Sequence, residues 1–328
     1  MNKSWSLALS LCFTASLSVV VPAHAQQAQN YEITQVADGL YRAANNSHRT
    51  VFLVTDEGII LADPVNNEFA TWLKSELDER YDVPVRYVLY SHHHWDHASG
   101  GAVFRDTATY VAHAGMAAAL AAPLPSNAAF LDVNGNGRLD RGEAAGGYAA
   151  RFDAYDANGD NVLSGAEINV DIHPPDLLYE DHMVVTLGGQ RVELIHPDPA
   201  HSDDTTVLYF PEQRVGFGVD YINVRRLPGG LDIYSFDQYA SAIGTMLALD
   251  IDIVVPGHGN VGRREDLAEY MGFLRDVQAE VSAAIAEGQS LEQTQRSVRL
   301  SEYSDWLAFD ARRENLIANA YRILTRTH

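Results

Sequence analysis

The chain almost lacks cysteine. Its 328 residues include a single one, Cys12, which lies in an apolar segment at the N-terminus. If that segment is removed, the remaining chain can form no disulfide and offers no thiolate as a nucleophile or metal ligand. Cysteine catalysis and a disulfide-stabilised scaffold are therefore excluded for the processed protein.

Basic residues are also scarce. The sequence holds 23 lysines and arginines against 44 aspartates and glutamates, which gives a formal net charge of −21. A surface this acidic repels the phosphates of nucleic acids and the headgroups of anionic membranes. We therefore expect a small-molecule substrate and no nucleic-acid partner, while nothing in the sequence identifies a protein partner.

Long apolar runs are absent after the first 25 residues. Residues 1–25 contain Lys3, then an apolar run, and end in Ala-His-Ala, which is the pattern of a secretory signal peptide. The run from Leu7 to Val21 is interrupted by serine and threonine and is short for a membrane span. The sequence predicts cleavage after Ala25 and a periplasmic or secreted protein that has no membrane contact after processing.

The remaining chain contains two blocks of strand-like segments, each accompanied by helical ones. Short β-branched runs separated by turns fill residues 31–63 and 182–218. Helical spacing of apolar residues marks 69–81 and 235–249, and residues 263–328 read as helices. This alternation predicts a layered α/β fold.

Residues 123–175 interrupt that rhythm. They are rich in Asn, Asp, Gly and Ala and contain no convincing strand. We therefore divide the chain into a signal peptide (1–25), a main domain (26–122 and 176–328) and an insertion (123–175).

The segment from residue 90 to 97, YSHHHWDH, places four histidines and one aspartate in six positions. Because side chains alternate faces along a strand, we expect His92, His94 and Asp96 to project to one side where the preceding strand ends in a turn, and His97 to begin a helix. Imidazole nitrogens and carboxylate oxygens are ligands that zinc takes. A histidine-rich loop could arise by chance, but three more potential ligands follow at the ends of predicted strands: His201, Asp220 and His258.

The order of these residues resembles the ligand motif of the metallo-beta-lactamase superfamily. The resemblance covers roughly residues 31–325 apart from the insertion. It implies a four-layer αββα sandwich with metal ions at one edge between the sheets. The implied ligands of the first zinc ion are His92, His94 and His201. Those of the second are Asp96, His97 and His258. The carboxylate that bridges both is Asp220.

One position departs from the family pattern, because Val219 precedes Asp220 where a glycine is usual. We expect this to change the local turn more than the ligand. The absence of cysteine after residue 12 excludes the branch that uses a cysteine ligand, and His94 in place of glutamate argues against the di-iron flavoprotein branch. An aspartate at position 220 is more similar to the glyoxalase II, lactonase and general hydrolase branches.

The implied chemistry is hydrolysis. Two cations lower the pKa of a shared water, so that hydroxide forms near neutral pH and attacks an electrophile. We predict an exported dinuclear zinc hydrolase that opens an amide or ester bond with metal-bound hydroxide, and Asp96 is the candidate to orient the water and relay a proton. A β-lactam, a lactone and a thioester all remain possible substrates.

Two other classes stay open. An iron-dependent sulfur dioxygenase uses much the same ligand set in this superfamily, and metal identity separates it from a zinc hydrolase because zinc has no redox chemistry. A calcium-responsive binding protein with vestigial catalysis is the second alternative, although the complete ligand set argues against it.

Several residues near these motifs have two interpretations. Asp63 either orients a metal-binding histidine or is a turn residue. His48 lies where loops of the family reach the site. Tyr221, Arg225 and Arg226 either contact an anionic substrate or, for the arginines, form surface salt bridges. The remaining histidines that we interpret as packed or solvated are His93, His113, His173, His182 and His196.

The insertion contains two consecutive segments, 132–143 and 156–167, that fit the twelve-position calcium loop. Their sixth positions, Gly137 and Asn161, tolerate a left-handed backbone. Their eighth positions are both leucine, where paired loops form a short strand contact. The expected ligands of the first loop are Asp132, Asn134, Asn136, the carbonyl of Arg138, Asp140 and Glu143. Those of the second are Asp156, Asn158, Asp160, the carbonyl of Val162, Ser164 and Glu167.

This pair resembles an EF-hand pair and predicts an all-α subdomain that holds up to two calcium ions. Calcium would either staple the long insertion or gate the active site. The alternative is a flexible loop, rich in asparagine and glycine, that binds no metal.

Overall fold

The computed structural model describes residues 30–231 and 234–326, so the predicted signal peptide lies outside the described residues. None of the helices in this part of the chain combines the length and hydrophobicity that crossing a bilayer requires. The strands are β1 (Tyr31–Ala37), β2 (Leu40–Asn45), β3 (His48–Thr55), β4 (Gly58–Leu61), β5 (Val85–Leu89), β6 (Thr109–His113), β7 (Leu139–Asp140), β8 (Val162–Leu163), β9 (Leu177–Tyr179), β10 (His182–Leu187), β11 (Gln190–Ile195), β12 (Val207–Phe210), β13 (Val215–Gly218), β14 (Ile253–Pro256) and β15 (Gly262–Arg263).

Helices follow or separate these strands. The α-helices are α1 (Asn67–Arg80), α2 (Trp95–Ala98), α3 (Ala114–Ala121), α4 (Ser126–Ala129), α5 (Gly146–Tyr155), α6 (Gly165–Ile168), α7 (Phe236–Leu247), α8 (Arg264–Ala286), α9 (Leu291–Ser297) and α10 (Phe309–Thr325). Two 3₁₀ turns span Gly101–Phe104 and Ser301–Tyr303.

The strands form two large sheets. The first has the order β1-β2-β3-β4-β5-β6-β9, and the second has the order β10-β11-β12-β13-β14-β15. The two strand blocks expected from the sequence therefore belong to separate sheets, and a strand outside both blocks joins the first sheet. β9 follows the insertion but pairs with β6 in the first sheet. The sequence carries no clear signal for it, because β9 is only three residues long.

The sheets pack face to face, and helices cover their outer faces. Along β3, Val51 and Leu53 point into the core between the sheets, where they meet residues such as Phe217 of β13. Phe52, between them, packs on the opposite face against α1 through Phe69. This alternation is the period of a β-strand that is buried on both faces. The outer face of the second sheet is covered by α7, α8 and α10, so the layers run helix, sheet, sheet, helix.

Helix α1 illustrates how local sequence fixes one of these layers. The side chain of Asn66 accepts a hydrogen bond from the backbone N–H of Phe69 at 2.9 Å and so caps the first turn. Phe69, Leu73 and Leu77 are buried at successive intervals of four residues, which is one face of a helix. The helix predicted over 69–81 is confirmed, and the observed helix α1 begins two residues earlier, at Asn67.

Several strand ends meet at one edge of the sandwich. β4, β5 and β6 are mutually parallel in the first sheet, and β13 and β14 are parallel in the second. Carboxyl ends of parallel strands lie at the same edge, which is where ligands bind in α/β proteins. The loops that follow β5, β13 and β14, together with the loop between β11 and β12, carry the cluster of histidines and aspartates described below.

The segment of residues 123–175 lies between α3 and β9. It contains α4, β7, α5, β8 and α6, and an apolar cluster of this segment includes Leu139, Phe152 and Leu163. β7 and β8 pair antiparallel, with Leu139 opposite Leu163, as expected from the matching positions of the two loops. The segment therefore combines three helices with a short strand pair, and the expectation of a purely α subdomain is wrong.

Candidate metal centre

The histidine-rich turn lies beyond the end of a strand. β5 ends at Leu89, and the turn after it brings His92 and His94 to the same cluster, as predicted for a strand that ends in a turn. His94 has the extended backbone of an N-cap, and the following α2 carries both Asp96 and His97. The helix predicted to begin at His97 is therefore wrong.

Three histidines form the first group of potential metal ligands. Nitrogen atoms of His92, His94 and His201 lie within 4.8 Å of one another. Nδ1 of His94 and Nε2 of His201 are 2.8 Å apart. The backbone of His201 is left-handed, with φ of 71°, which is a costly conformation for a residue with a Cβ.

Two histidines and two aspartates form the second group, made of Asp96, His97, Asp220 and His258. Nε2 of His97 lies 3.3 Å from Oδ2 of Asp220, and Nε2 of His258 lies 3.2 Å from its Oδ1. The two imidazole Nε2 atoms are 3.3 Å apart. Donor atoms that converge this closely form a metal-binding cluster.

Asp220 lies between the two groups. Its Oδ2 is also 3.5 Å from Nε2 of His201 and 4.0 Å from Nε2 of His92. The residue has a left-handed backbone with φ of 66°. The unusual Val219 beside it fits because Gly257 faces it: a Cβ on Gly257 would lie only 2.5 Å from Cγ1 of Val219.

Ser91 and Asp63 fix the orientation of the first histidine. Both oxygens of the fully buried Asp63 accept hydrogen bonds, one from the backbone N–H of Ser91 at 2.7 Å and one from its hydroxyl at 2.6 Å. Since the hydroxyl proton points to Asp63, Nδ1 of His92 donates to the Ser91 oxygen, 2.9 Å away. The lone pair is then on Nε2 of His92, which is buried without a hydrogen-bond partner.

Asp63 also lies 3.6 Å from Nδ1 of His97. Burial raises the pKa of Asp63 to about 6, against the opposing effects of His97 and of the two Ser91 hydrogen bonds. Asp63 therefore lies beside residues of both ligand groups, where it can orient them.

Electrostatics prepare these side chains for a cation. Burial and the neighbouring His201 and His97 hold the pKa of His92 well below its usual range, so its imidazole is neutral. Burial would raise the pKa of Asp220, but His258 and His97 outweigh it and hold that pKa well below its usual range. Neutral imidazole and ionised carboxylate are the forms that bind metal, so His92 and Asp220 fit a metal ion. Burial would lower the pKa of His97, but Asp220 and Asp96 raise it to about 10, so this imidazole gives up a proton when it binds a metal.

Replacing Ser91 by alanine should weaken metal binding, because it removes the acceptor that holds His92 in the Nε2 lone-pair tautomer and the donor to Asp63. We expect the affinity for the first metal ion to fall by roughly 10 to 100-fold. Competition with a chromogenic chelator measures this, and Ser99→Ala, on the same turn but without these contacts, serves as the control. An unchanged affinity would contradict the tautomer assignment.

His48 reaches the site from the hairpin between β2 and β3. Its Nε2 lies 3.4 Å from Oδ2 of Asp96, and its ring centroid lies 4.5 Å from that of His258. Burial would raise the pKa of Asp96, but His97 and the His48 hydrogen bond lower it overall, so this carboxylate is ionised. The sequence gives only weak signal for His48, because its approach depends on the β3 hairpin pairing with the loop at His258.

A cavity of about 350 Å³ opens beside the second group. Arg226 and Arg312 line it together with Asp220, and Arg226 donates to the side chain of Asn223 at 2.9 Å. Burial and the neighbouring Arg312 lower the pKa of Arg226 to about 10, so its guanidinium stays charged at neutral pH. No local motif marks Arg312 or Asn223, and the sequence alone does not identify them.

The neighbours of Arg226 have other roles. Arg225 forms surface salt bridges with Glu269 and Asp305, which is one of its two predicted roles. Tyr221 is fully buried, and its hydroxyl points to the sulfur of Met246 rather than to the cavity. A substrate contact by Tyr221 is therefore wrong.

The other histidines lie in packed or surface settings. Nδ1 of His93 is 2.8 Å from the buried Asp204. The rings of His113 and His196 stack with centroids 3.8 Å apart, His173 stacks on Tyr110, and His182 pairs with Glu193. None of them belongs to either ligand group.

The two loops of the insertion have the backbone that their sequences predict. Gly137 and Asn161, at the sixth positions, have φ of 75° and 62°. Oδ1 of Asp132 accepts hydrogen bonds from the amides of residues 135 and 136, and Oδ1 of Asp156 does the same in the second loop with residues 159 and 160. Among further expected ligands, the side chains that also bond to amides within their own loop are Asn134, Asn136, Glu143, Asn158, Asp160 and Glu167.

Four of the expected calcium ligands have side-chain contacts within the loops as well. Oδ2 of Asp140 accepts a hydrogen bond from the amide nitrogen of the Asn134 side chain, and the Ser164 hydroxyl donates to Oε2 of Glu167 at 2.7 Å. The other carboxylate oxygen of Glu167, Oε1, is buried without a hydrogen-bond partner. The two loops therefore gather oxygen atoms of the kind that calcium takes.

Comparison with known proteins gives a family match over most of the main domain. The model of the family described as "Metallo-beta-lactamase superfamily" matches residues 46–258. The alpha subunit of 2,4-dinitroanisole O-demethylase from Nocardioides sp. (strain JS1661) is 23% identical over 276 residues, which are 82% of this chain and 70% of that protein. A linear primary-alkylsulfatase from Pseudomonas sp. (strain ATCC 19151) is 24% identical over 67% of this chain. The matched region is only 43% of the alkylsulfatase.

Several solved structures have a fold similar to that of this chain. A metallo-beta-lactamase from Pontibacter korlensis aligns over 75% of this chain and 99% of its own, with a TM-score of 0.54 and 18% identity. A stereoselective inverting sec-alkylsulfatase from Pseudomonas sp. aligns over 91% of this chain and 51% of its own, with a TM-score of 0.65 and 16% identity. At these identities the structural likeness concerns the fold alone.

Proposed function

Because this chain belongs to the metallo-beta-lactamase superfamily, we propose that it is a dinuclear zinc hydrolase that acts on a small molecule. One observation carries the proposal: two groups of potential ligands meet at Asp220 beside an open cavity. Their donors are imidazole nitrogens and carboxylate oxygens with no sulfur, which suits zinc.

The residues of the chain have separate roles in this proposal. His92, His94 and His201 would hold the first ion, while Asp96, His97 and His258 would hold the second, with Asp220 shared. Bound zinc supplies Lewis-acid chemistry, which makes water more acidic and polarises the substrate. Asp96 is ionised and faces His48, so it can accept a proton and pass it toward that imidazole.

The cavity favours an anionic substrate. Arg226 and Arg312 bring two positive charges next to the ligand cluster in a protein that is acidic overall. A guanidinium binds carboxylate or sulfate oxygens in a fixed geometry. A β-lactam carries a carboxylate, and two of the relatives are named alkylsulfatases, so both substrate types belong in the first test beside lactones and thioesters.

Two further features belong to this proposal. The loops at 132–143 and 156–167 are proposed to bind calcium as an EF-hand pair, supported by their left-handed sixth positions and by the paired Leu139 and Leu163. The N-terminal 25 residues are proposed to direct export and to be removed.

Elemental analysis of the purified processed protein, combined with substrate assays on the same sample, tests the proposal. We expect about two zinc and up to two calcium ions per chain, with one hydrolytic activity among nitrocefin, a neutral lactone, a thioester and a linear alkyl sulfate. An anionic substrate should be preferred over a neutral analogue of equal reactivity.

Other results would redirect the assignment. About one iron per chain with none of the substrates hydrolysed would favour the oxidative branch of the superfamily. A protein that binds no transition metal would contradict a metal-dependent reaction at this site altogether.

A further inference from the structure

Trp95 lies between two potential metal ligands, His94 and Asp96, but packs on the insertion. Its indole contacts the apolar cluster of that subdomain, with ring centroids 6.2 Å from Tyr155 and 6.5 Å from Tyr148. The guanidinium of Arg151 lies over the indole, 4.6 Å from its centroid. Trp95, whose backbone lies between His94 and Asp96, thus packs its side chain in the apolar cluster of the insertion.

The fit around the indole is close. Gly147, in the first turn of α5, approaches so near that a Cβ on it would lie 3.0 Å from Cζ2 of Trp95. Tyr148, Arg151 and Tyr155 are on the same helix, so α5 as a unit forms the surface on which Trp95 rests. A movement of α5 is therefore transmitted to α2.

The other end of the turn is attached to the insertion as well. The backbone N–H of Gly100 donates to the carbonyl of Asp171 at 2.8 Å, and Ser99 forms a β-bridge with Ile172. The Tyr90 hydroxyl, on the strand side of the turn, donates to the carbonyl of His173 at 2.8 Å. The segment that carries His92, His94, Asp96 and His97 is thus held on both sides by residues of the insertion.

Helix α5 also connects the two candidate calcium loops. It begins three residues after Glu143, the last position of the first loop, and Asp156, the first position of the second loop, is its C-cap. Without a cation, the loops bring together carboxylates that repel one another: Asp132, Asp140, Glu143, Asp156, Asp160 and Glu167. The buried, unpaired Oε1 of Glu167 points to the same need for a cation.

We propose that calcium binding to the two loops fixes α5 and, through Trp95, positions the metal-binding turn, so that calcium controls zinc retention and activity. This inference rests on the proposed zinc centre and the proposed calcium loops. Trp95 is a positioning residue here: it touches neither ligand group directly but holds the backbone that carries them.

Hydrogen exchange of the whole processed protein, loaded with zinc and measured with and without calcium, tests the coupling. In the wild type, calcium should slow exchange in peptides covering both 146–155 and 91–99. In Trp95→Ala, calcium should slow exchange only in 146–155. Calcium should also slow zinc transfer to a chromogenic chelator by about tenfold in the wild type and not in the variant.

Matched variants separate coupling from general damage. Trp72→Ala removes an indole from α1, away from the insertion, and should keep the calcium effect on zinc transfer. Gly147→Ala leaves Trp95 and every candidate ligand intact while crowding the indole, and should reduce that effect. Gly147→Ala therefore serves as the test if Trp95→Ala does not fold.

Each outcome decides the matter. If calcium slows exchange in 146–155 but not in 91–99 of the wild type, the coupling is wrong and the calcium loops stand. If calcium changes the exchange of neither segment, both the coupling and the proposed calcium binding by the loops are wrong. If the protein binds no zinc, the proposed function fails, while the exchange data still decide whether calcium reaches the turn at Trp95.

Discussion

Replacing Asp220 by alanine should lower kcat/KM by about a thousandfold or more, because bound metal ions contribute several kcal/mol to catalysis and each ~1.4 kcal/mol is tenfold in rate. Among the residues that the structure describes, Asp220 is the one side chain whose oxygens lie within 4.0 Å of histidines from both ligand groups. The substitution removes the carboxylate that lies between the two groups, so His97 and His258 lose their nearest anionic partner. Steady-state kinetics and the metal content of the same preparation measure the effect.

The matched control for this prediction is Asp78→Ala. Asp78 is an exposed carboxylate on α1 that pairs with Lys74, and its removal should leave activity and metal content within error of the wild type. Retention of two metal ions and of wild-type kcat/KM by Asp220→Ala would show that the two groups do not act as one centre.

Replacing Phe217 by alanine should cause a large loss of stability. Phe217 is fully buried in the core between the sheets, three residues before Asp220. Large-to-small substitution of a buried phenylalanine costs about 3–5 kcal/mol, because the transfer free energy is lost and a cavity remains. We expect the melting temperature to fall by roughly 5–15 °C in a calorimetric scan.

Phe130→Ala removes the same atoms from a position where the side chain is 64% exposed. It should change the melting temperature by only about 1–2 °C, because little apolar surface is returned to water. Equal losses in the two variants would contradict the placement of Phe217 in the inter-sheet core.

Local sequence patterns determined most of the elements and which side chains converge in the cluster. The β-branched runs and turns predict the strands of both sheets, since side-chain packing on a pleated surface favours those residues over short windows. The calcium-type loops predict left-handed backbone at Gly137 and Asn161, because few residues other than glycine and asparagine adopt it readily. The order of histidines and aspartates predicts which side chains converge, and they do so in two groups.

Only the tertiary structure decided how those residues meet. The direction of His92 and His94 is set by the turn after β5, which Ser91, Asp63 and Trp95 contact from three sides. His48 and Arg312 come from opposite ends of the chain and reach one site through sheet pairing and helix packing. The sequence by itself determined the donor atoms, because their chemistry belongs to each residue. Long-range packing decided the distances between them, the position of the two arginines in the cavity and the contact of Trp95 with α5. No local window of sequence contains that information.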